Sequence, residues 1–124
     1  LLRSFIDKGV GVSIDDFGTG YSCMSSLKSL PITALKIDRC FVQNVHTEPS
    51  DRAIASAIIA LAKQLGLRTT AEGIETQAQA LLLRQDGCDD FQGYLYSEPL
   101  PAELVTRYLK GSLSDENTSS QQIA

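Results

Sequence analysis

Apolar and polar positions change period several times along the chain, and each change marks an element. Leu1, Leu2, Phe5 and Ile6 precede Gly9, which predicts the last turns of a helix and its stop. "VGVSID" (10–15) alternates with period two and predicts a strand. "SCMSSLKSL" (22–30) predicts a helix closed by Pro31, and "ALKID" (34–38) a second strand. Residues 41–50 form a connection with room for one helical turn. Ile54, Ile58, Leu61 and Leu65 then fall on one face of a helix over 51–65, before Gly66. "LRTTAE" (67–72) predicts a third strand, "ETQAQALLLRQDG" (75–87) a helix ending in glycine, and "DFQGYLYS" (90–97) begins with a fourth strand. Pro101–Lys110 predicts a helix with proline in its first turn. Residues 111–124 are polar and serine-rich, so the domain is placed at 1–110 and a mobile polar tail beyond it.

A leading helix followed by four βα units implies parallel strands joined by right-handed crossovers. An open doubly wound sheet and part of a (β/α)8 barrel both fit that order. Strand parity favours the barrel. Val10, Val12 and Ile14 share one face, opposite Gly11, Ser13 and Asp15. Leu35 and Ile37 oppose Ala34, Lys36 and Asp38, and Leu67, Thr69 and Ala71 oppose Arg68, Thr70 and Glu72. A central strand of an open sheet is usually apolar on both faces. A barrel strand turns its greasy face to the outer helices and the other to the interior.

Composition adds limits rather than a function. Of 124 residues, 43 % are hydrophobic and 21 % charged, enough for a packed core. The net charge of -4 and the absence of a basic cluster argue against a nucleic-acid duplex as partner. Cys23, Cys40 and Cys88 have no zinc-site spacing, and His46 is the single histidine. Reduced thiols in a cytoplasmic protein are the expectation, compatible with a membrane anchor upstream. The apolar run 53–62 is too short to span a bilayer.

Polar residues gather at the C-terminal ends of the strands. Asp15 ends the first, Lys36 and Asp38 the second and Glu72 the third, while Gln92 lies on the fourth and shares a face with Tyr94. In barrels and open sheets alike, that rim holds the site. Each residue has a plainer role: Asp15 or Asp16 as a helix cap, Lys36 as a snorkelling cation, Glu72 as a solvated loop acid, Gln92 as a partner for buried backbone. Together on one rim, several carboxylates repel unless a cation relieves them, and hard oxygen ligands suit Mg²⁺ or Mn²⁺. Two metals bridged by a carboxylate can hydrolyse a phosphodiester. Adjacent Asp15 and Asp16 can serve two ions if the strand ends or bulges between them. Gly18 and Gly20 in "DFGTGYS" are turn residues first, and no Walker lysine follows them.

"DDFGTGYS", "LPITALKIDRCFV", "TTAEGIET" and "GCDDFQGYLYSEPLP" together resemble the C-terminal half of an EAL domain, the family of cyclic-di-GMP phosphodiesterases. The resemblance runs over about 1–109. It implies the last four βα units of a modified (β/α)8 barrel. It further implies hydrolysis of cyclic di-GMP to linear pGpG with Mg²⁺ or Mn²⁺, and inhibition by Ca²⁺. By motif position, Asp15 corresponds to the carboxylate touching both metals and Asp16 to a ligand of the second. Lys36 corresponds to the lysine that positions the attacking water, and Glu72 to the general base or a metal ligand. Glu75 corresponds to the glutamate that holds the metal-side loop, Gln92 to a polar residue lining the site, and "DFGTGYS" to a flexible loop linked to dimerisation. Cys23–Met24 and Cys40 depart from the usual pattern without touching a catalytic position.

The Glu-Ala-Leu signature and the upstream asparagine and glutamate ligands are not among these residues. Half a barrel leaves two open edges and an uncovered apolar interior. The expectation is a chain that is inactive alone and either homo-oligomeric or dependent on the other half-barrel. Two other readings stay open: a degenerate receptor that binds cyclic di-GMP without cutting it, and an inactive fragment associating through its edges.

Overall fold

The computed structural model describes residues 1–19 and 24–114. In chain order the elements are α1 (Leu2–Asp7), β1 (Ser13–Phe17), α2 (Met24–Ser29), β2 (Ala34–Ile37), α3 (Arg39–Val42), α4 (Pro49–Gln64), β3 (Arg68–Glu72), α5 (Gln77–Asp86), β4 (Asp90–Gln92) and α6 (Ala102–Ser114). The strands form one parallel sheet in sequence order, β1-β2-β3-β4. This is the half-barrel that alternation and parity predict. The tail beyond Ser114, and Gly20 to Cys23 of the glycine loop and its flank, lie outside the described residues. The last helix passes through Gly111 rather than stopping before it. An interior glycine costs a helix only about 1 kcal/mol against alanine, and no proline follows to end it.

Parity sets the layers. Leu35, Ile37, Thr69, Ala71 and Phe91 point to the helix side and are buried. They pack with Val42, Val45, Ala55, Ile58, Ile59, Ala62 and Leu83 into one core. The buried stripe of α4 is Ala55, Ile58, Ile59 and Ala62; of the row expected from the sequence, Ile58 is buried and Leu61 packs partly buried against the core, while Ile54 and Leu65 face outward. Small alanines allow α4 to lie close against β2 and β3. Leu35, with no exposed surface, sits at the centre. Leu35→Ala is expected to destabilise the fold by about 2–5 kcal/mol in urea unfolding.

Among the described residues, the opposite face of the sheet has no helix layer. It carries Ser13, Asp15, Ala34, Lys36, Arg68, Thr70, Glu72, Asp90 and Gln92. The interior expected to be apolar is therefore polar. A bidentate Arg68–Asp90 pair ties β3 to β4 at its lower end, with contacts of 2.9–3.2 Å. Exposed apolar side chains occur on the helices instead, among them Leu2 and Phe5 of α1, Ile54 of α4, Leu81 of α5 and Leu104, Val105 and Leu109 of α6. No helix among the described residues is long and apolar enough to cross a membrane.

Candidate metal centre

The end of β1 departs from regular pairing. Register with β2 slips between Ile14 and Phe17. Asp16 takes a φ of 52°, the left-handed region that aspartate tolerates better than most residues. The bulge lets Asp15 and Asp16 both stay exposed while Phe17 returns to the core. Asp16 N donates to Asp15 Oδ1 at 2.8 Å, and Thr19 fastens the turn through its N and Oγ1 to Asp16 O. Two adjacent carboxylates thus reach one rim, which a straight strand would send to opposite faces.

Asp15, Asp16 and Glu72 each place a carboxylate oxygen within 4.8 Å of the others. Glu72 closes β3 opposite Gln92 of β4, and its Oε1 meets Lys36 Nζ at 2.7 Å. Crowding marks the acids electrostatically. A hydrogen bond with Asp38 raises the Asp16 carboxyl, followed by the charge of Asp15. Asp38 itself is held below the usual carboxylate range, chiefly by hydrogen bonds from the Cys40 thiol and amide. Lys36 is raised from 10.5, first by its hydrogen bond to Glu72.

The Lys36 shift has a definite sign. A lysine raised in the folded state stabilises fully below its unfolded pKa and loses that contribution as pH rises through the folded value. The stability difference between wild type and Lys36→Met is therefore expected to hold at neutral pH and shrink above 10.5. Paired urea titrations across that range check it.

Glu75 and Gln92 stand beside the acid cluster rather than in it. They line a cavity of ≈ 310 Å³ with Arg39, Gly73, Gly93 and Tyr94. Tyr94 reaches that wall from a turn, because β4 ends at Gln92; the expectation that both residues share a strand face does not hold. Asp38, placed on the rim by the sequence, caps α3 through Cys40 N and raises the Asp16 carboxyl. Two further participants have no place in the site read from the sequence. Gln79 forms a capping box with Thr76, legible as "TQAQ". Gly93 has no local signal beyond its own small size. Of the thiols, Cys88 is buried, and Cys40 is pushed up to about 11, by burial first and Asp38 next, so it is no thiolate at neutral pH.

The donor set fits a hard divalent cation. All three converging side chains are carboxylates, and a cation among them would relieve their mutual repulsion. Lys36 offers one compensating charge.

The family model for the EAL domain matches residues 1–99. Cyclic di-GMP phosphodiesterase NbdA of Pseudomonas aeruginosa is 46 % identical over 110 residues, covering 89 % of this chain and 14 % of that protein. The EAL domain of Mycobacterium smegmatis DcpA superposes with a TM-score of 0.80 at 50 % identity, covering 89 % of this chain and 50 % of that one. The manganese and cyclic-di-GMP complex of Klebsiella pneumoniae BlrP1 superposes with a TM-score of 0.71 at 34 % identity, covering 79 % and 25 %. The chain thus spans a minor part of the curated relative it matches.

Proposed function

On the premise that this chain belongs to the EAL domain family, we propose that it supplies the C-terminal half of a barrel that hydrolyses cyclic di-GMP to linear pGpG at a Mg²⁺ or Mn²⁺ pair. The observation that carries this reading is the convergence of Asp15, Asp16 and Glu72 within 4.8 Å, with Lys36 bonded to Glu72 at 2.7 Å. Bound there, divalent cations would supply charge neutralisation at phosphate oxygens and would acidify a water toward neutrality.

The chain's own residues do the rest. Asp15 and Asp16 would hold the cations from a bulge that brings both carboxylates to one rim, with Asp15 Oδ1 held by Asp16 N. The Lys36 ammonium has three donors, of which Glu72 uses one; the others are available to orient the attacking water. Glu72, within hydrogen-bond reach of that lysine, accepts the proton or completes the ligand set. Gln92 and Glu75, on the neighbouring cavity wall, contact the nucleotide away from the cut bond.

A barrel of this type closes with eight strands, whereas the described sheet has four and two free edges, β1 and β4. We propose that strands beyond these four complete the barrel and that activity requires them. Incubating the full-length protein with cyclic di-GMP and separating products by chromatography tests the proposal. Linear pGpG should form with Mn²⁺ or Mg²⁺ and not with a chelator. Tight binding without cleavage in either metal would make the protein a receptor.

A further inference from the structure

The turn between β3 and α5 is gripped from both sides, and one buried side chain makes most of the grip. Gln79 is 3 % exposed. Its Oε1 accepts from Glu75 N at 2.8 Å and Thr76 N at 3.0 Å, while its Nε2 donates to Gln43 O at 2.9 Å. An ordinary capping box needs only the Thr76 bond. The Glu75 bond, and the link to a carbonyl 36 residues back in sequence, go beyond it. Gln43 follows directly on α3, whose N-cap is Asp38.

The other side is held by backbone. Ile74 N donates to Gln92 O at 3.0 Å, and Leu95 N donates to Ile74 O at 3.0 Å. Gly93 makes this approach possible: a Cβ there would lie 2.1 Å from Ile74 O. Glu72 is fixed separately, by its strand ladder and by Lys36. Glu75 lies beyond the strand, so its backbone position depends on the grip.

We infer that Gln79 is a positioning residue for Glu75: it fixes the wall of the nucleotide cavity and couples that wall to α3. This rests on the function proposed above. The consequence is a split in kinetics, since the acid cluster keeps its own supports.

The test uses the full-length protein with Mn²⁺. Gln79→Met should raise KM for cyclic di-GMP roughly ten- to a hundredfold while kcat stays within about threefold. The Mn²⁺ concentration for half activity should not move. Gln79→Glu keeps an oxygen for Glu75 and Thr76 but loses the donor to Gln43 O, so KM should rise about two- to tenfold. It carries the test if the methionine variant does not fold. Adding Gln79→Met to Glu75→Gln should raise KM no further than Glu75→Gln alone. An unchanged KM, full additivity with Glu75→Gln, or a fall in kcat with weakened Mn²⁺ response would each overturn the inference. A wild type that does not bind cyclic di-GMP refutes the proposed function instead. Amide exchange then decides: Glu75 and Thr76 should exchange faster in the Gln79 variants relative to the α5 interior, and equal rates overturn the positioning role.

Discussion

Asp15→Asn in the full-length protein is expected to reduce cyclic di-GMP hydrolysis by about 10³-fold or more, because Lewis-acid stabilisation is worth several kcal/mol. Asp15 sits where the β1 bulge begins, and its Oδ1 already accepts Asp16 N. Asparagine preserves that size and the acceptor, so the fold should survive and the loss can be read as lost charge. Asp16→Asn should act in the same direction, as asparagine also tolerates the φ of 52° found there. Its effect should appear mainly as a demand for more metal, about 10–100-fold. Steady-state rates over a Mn²⁺ series distinguish the two. An Asp15→Asn variant with wild-type turnover would remove Asp15 from the site.

Glu72→Gln is expected to cut kcat by about 10²–10⁴ with nucleotide binding retained, if Glu72 takes the proton of the attacking water. The substitution also takes the charge partner from Lys36, whose Nζ lies 2.7 Å from Glu72 Oε1. A ligand role leaves a different trace: metal binding weakens too, and excess Mn²⁺ restores part of the rate. The Mn²⁺ dependence of this one variant therefore assigns the role. Equal rates for variant and wild type at every Mn²⁺ concentration would exclude both.

Much of this arrangement is legible in the sequence because period two is rigid. Leu35 and Ile37, or Thr69 and Ala71, can face the helices only if Lys36 and Glu72 face the other way. What escaped alternation depended on breaks in it. The strand expected over 10–15 is displaced to Ser13–Phe17, because the double-aspartate bulge continues pairing instead of ending it and returns Phe17 to the core. Alternation places Tyr94 on a strand face, but Gly93 packs on the Ile74 backbone and the chain turns there. The row of large residues on α4 predicts Ile58 correctly, whereas close packing on the sheet also selects Ala55 and Ala62 and turns Ile54 and Leu65 outward. Asp38 and Gln79 act through contacts with Asp16 and Gln43, distant in sequence, which no local pattern encodes.

The domain carries an acidic rim at the ends of β1 and β3, with Lys36 from β2 between them, and the proposed function stands on that rim holding divalent metal. Anomalous diffraction at the manganese edge, from crystals of the full-length protein grown with Mn²⁺ and cyclic di-GMP, measures that directly. The expected result is manganese within about 2.5 Å of Asp15 and Asp16 oxygens, beside Glu72 and facing a phosphate of the nucleotide. Nucleotide bound at the rim with no manganese against Asp15 or Asp16 would contradict the account.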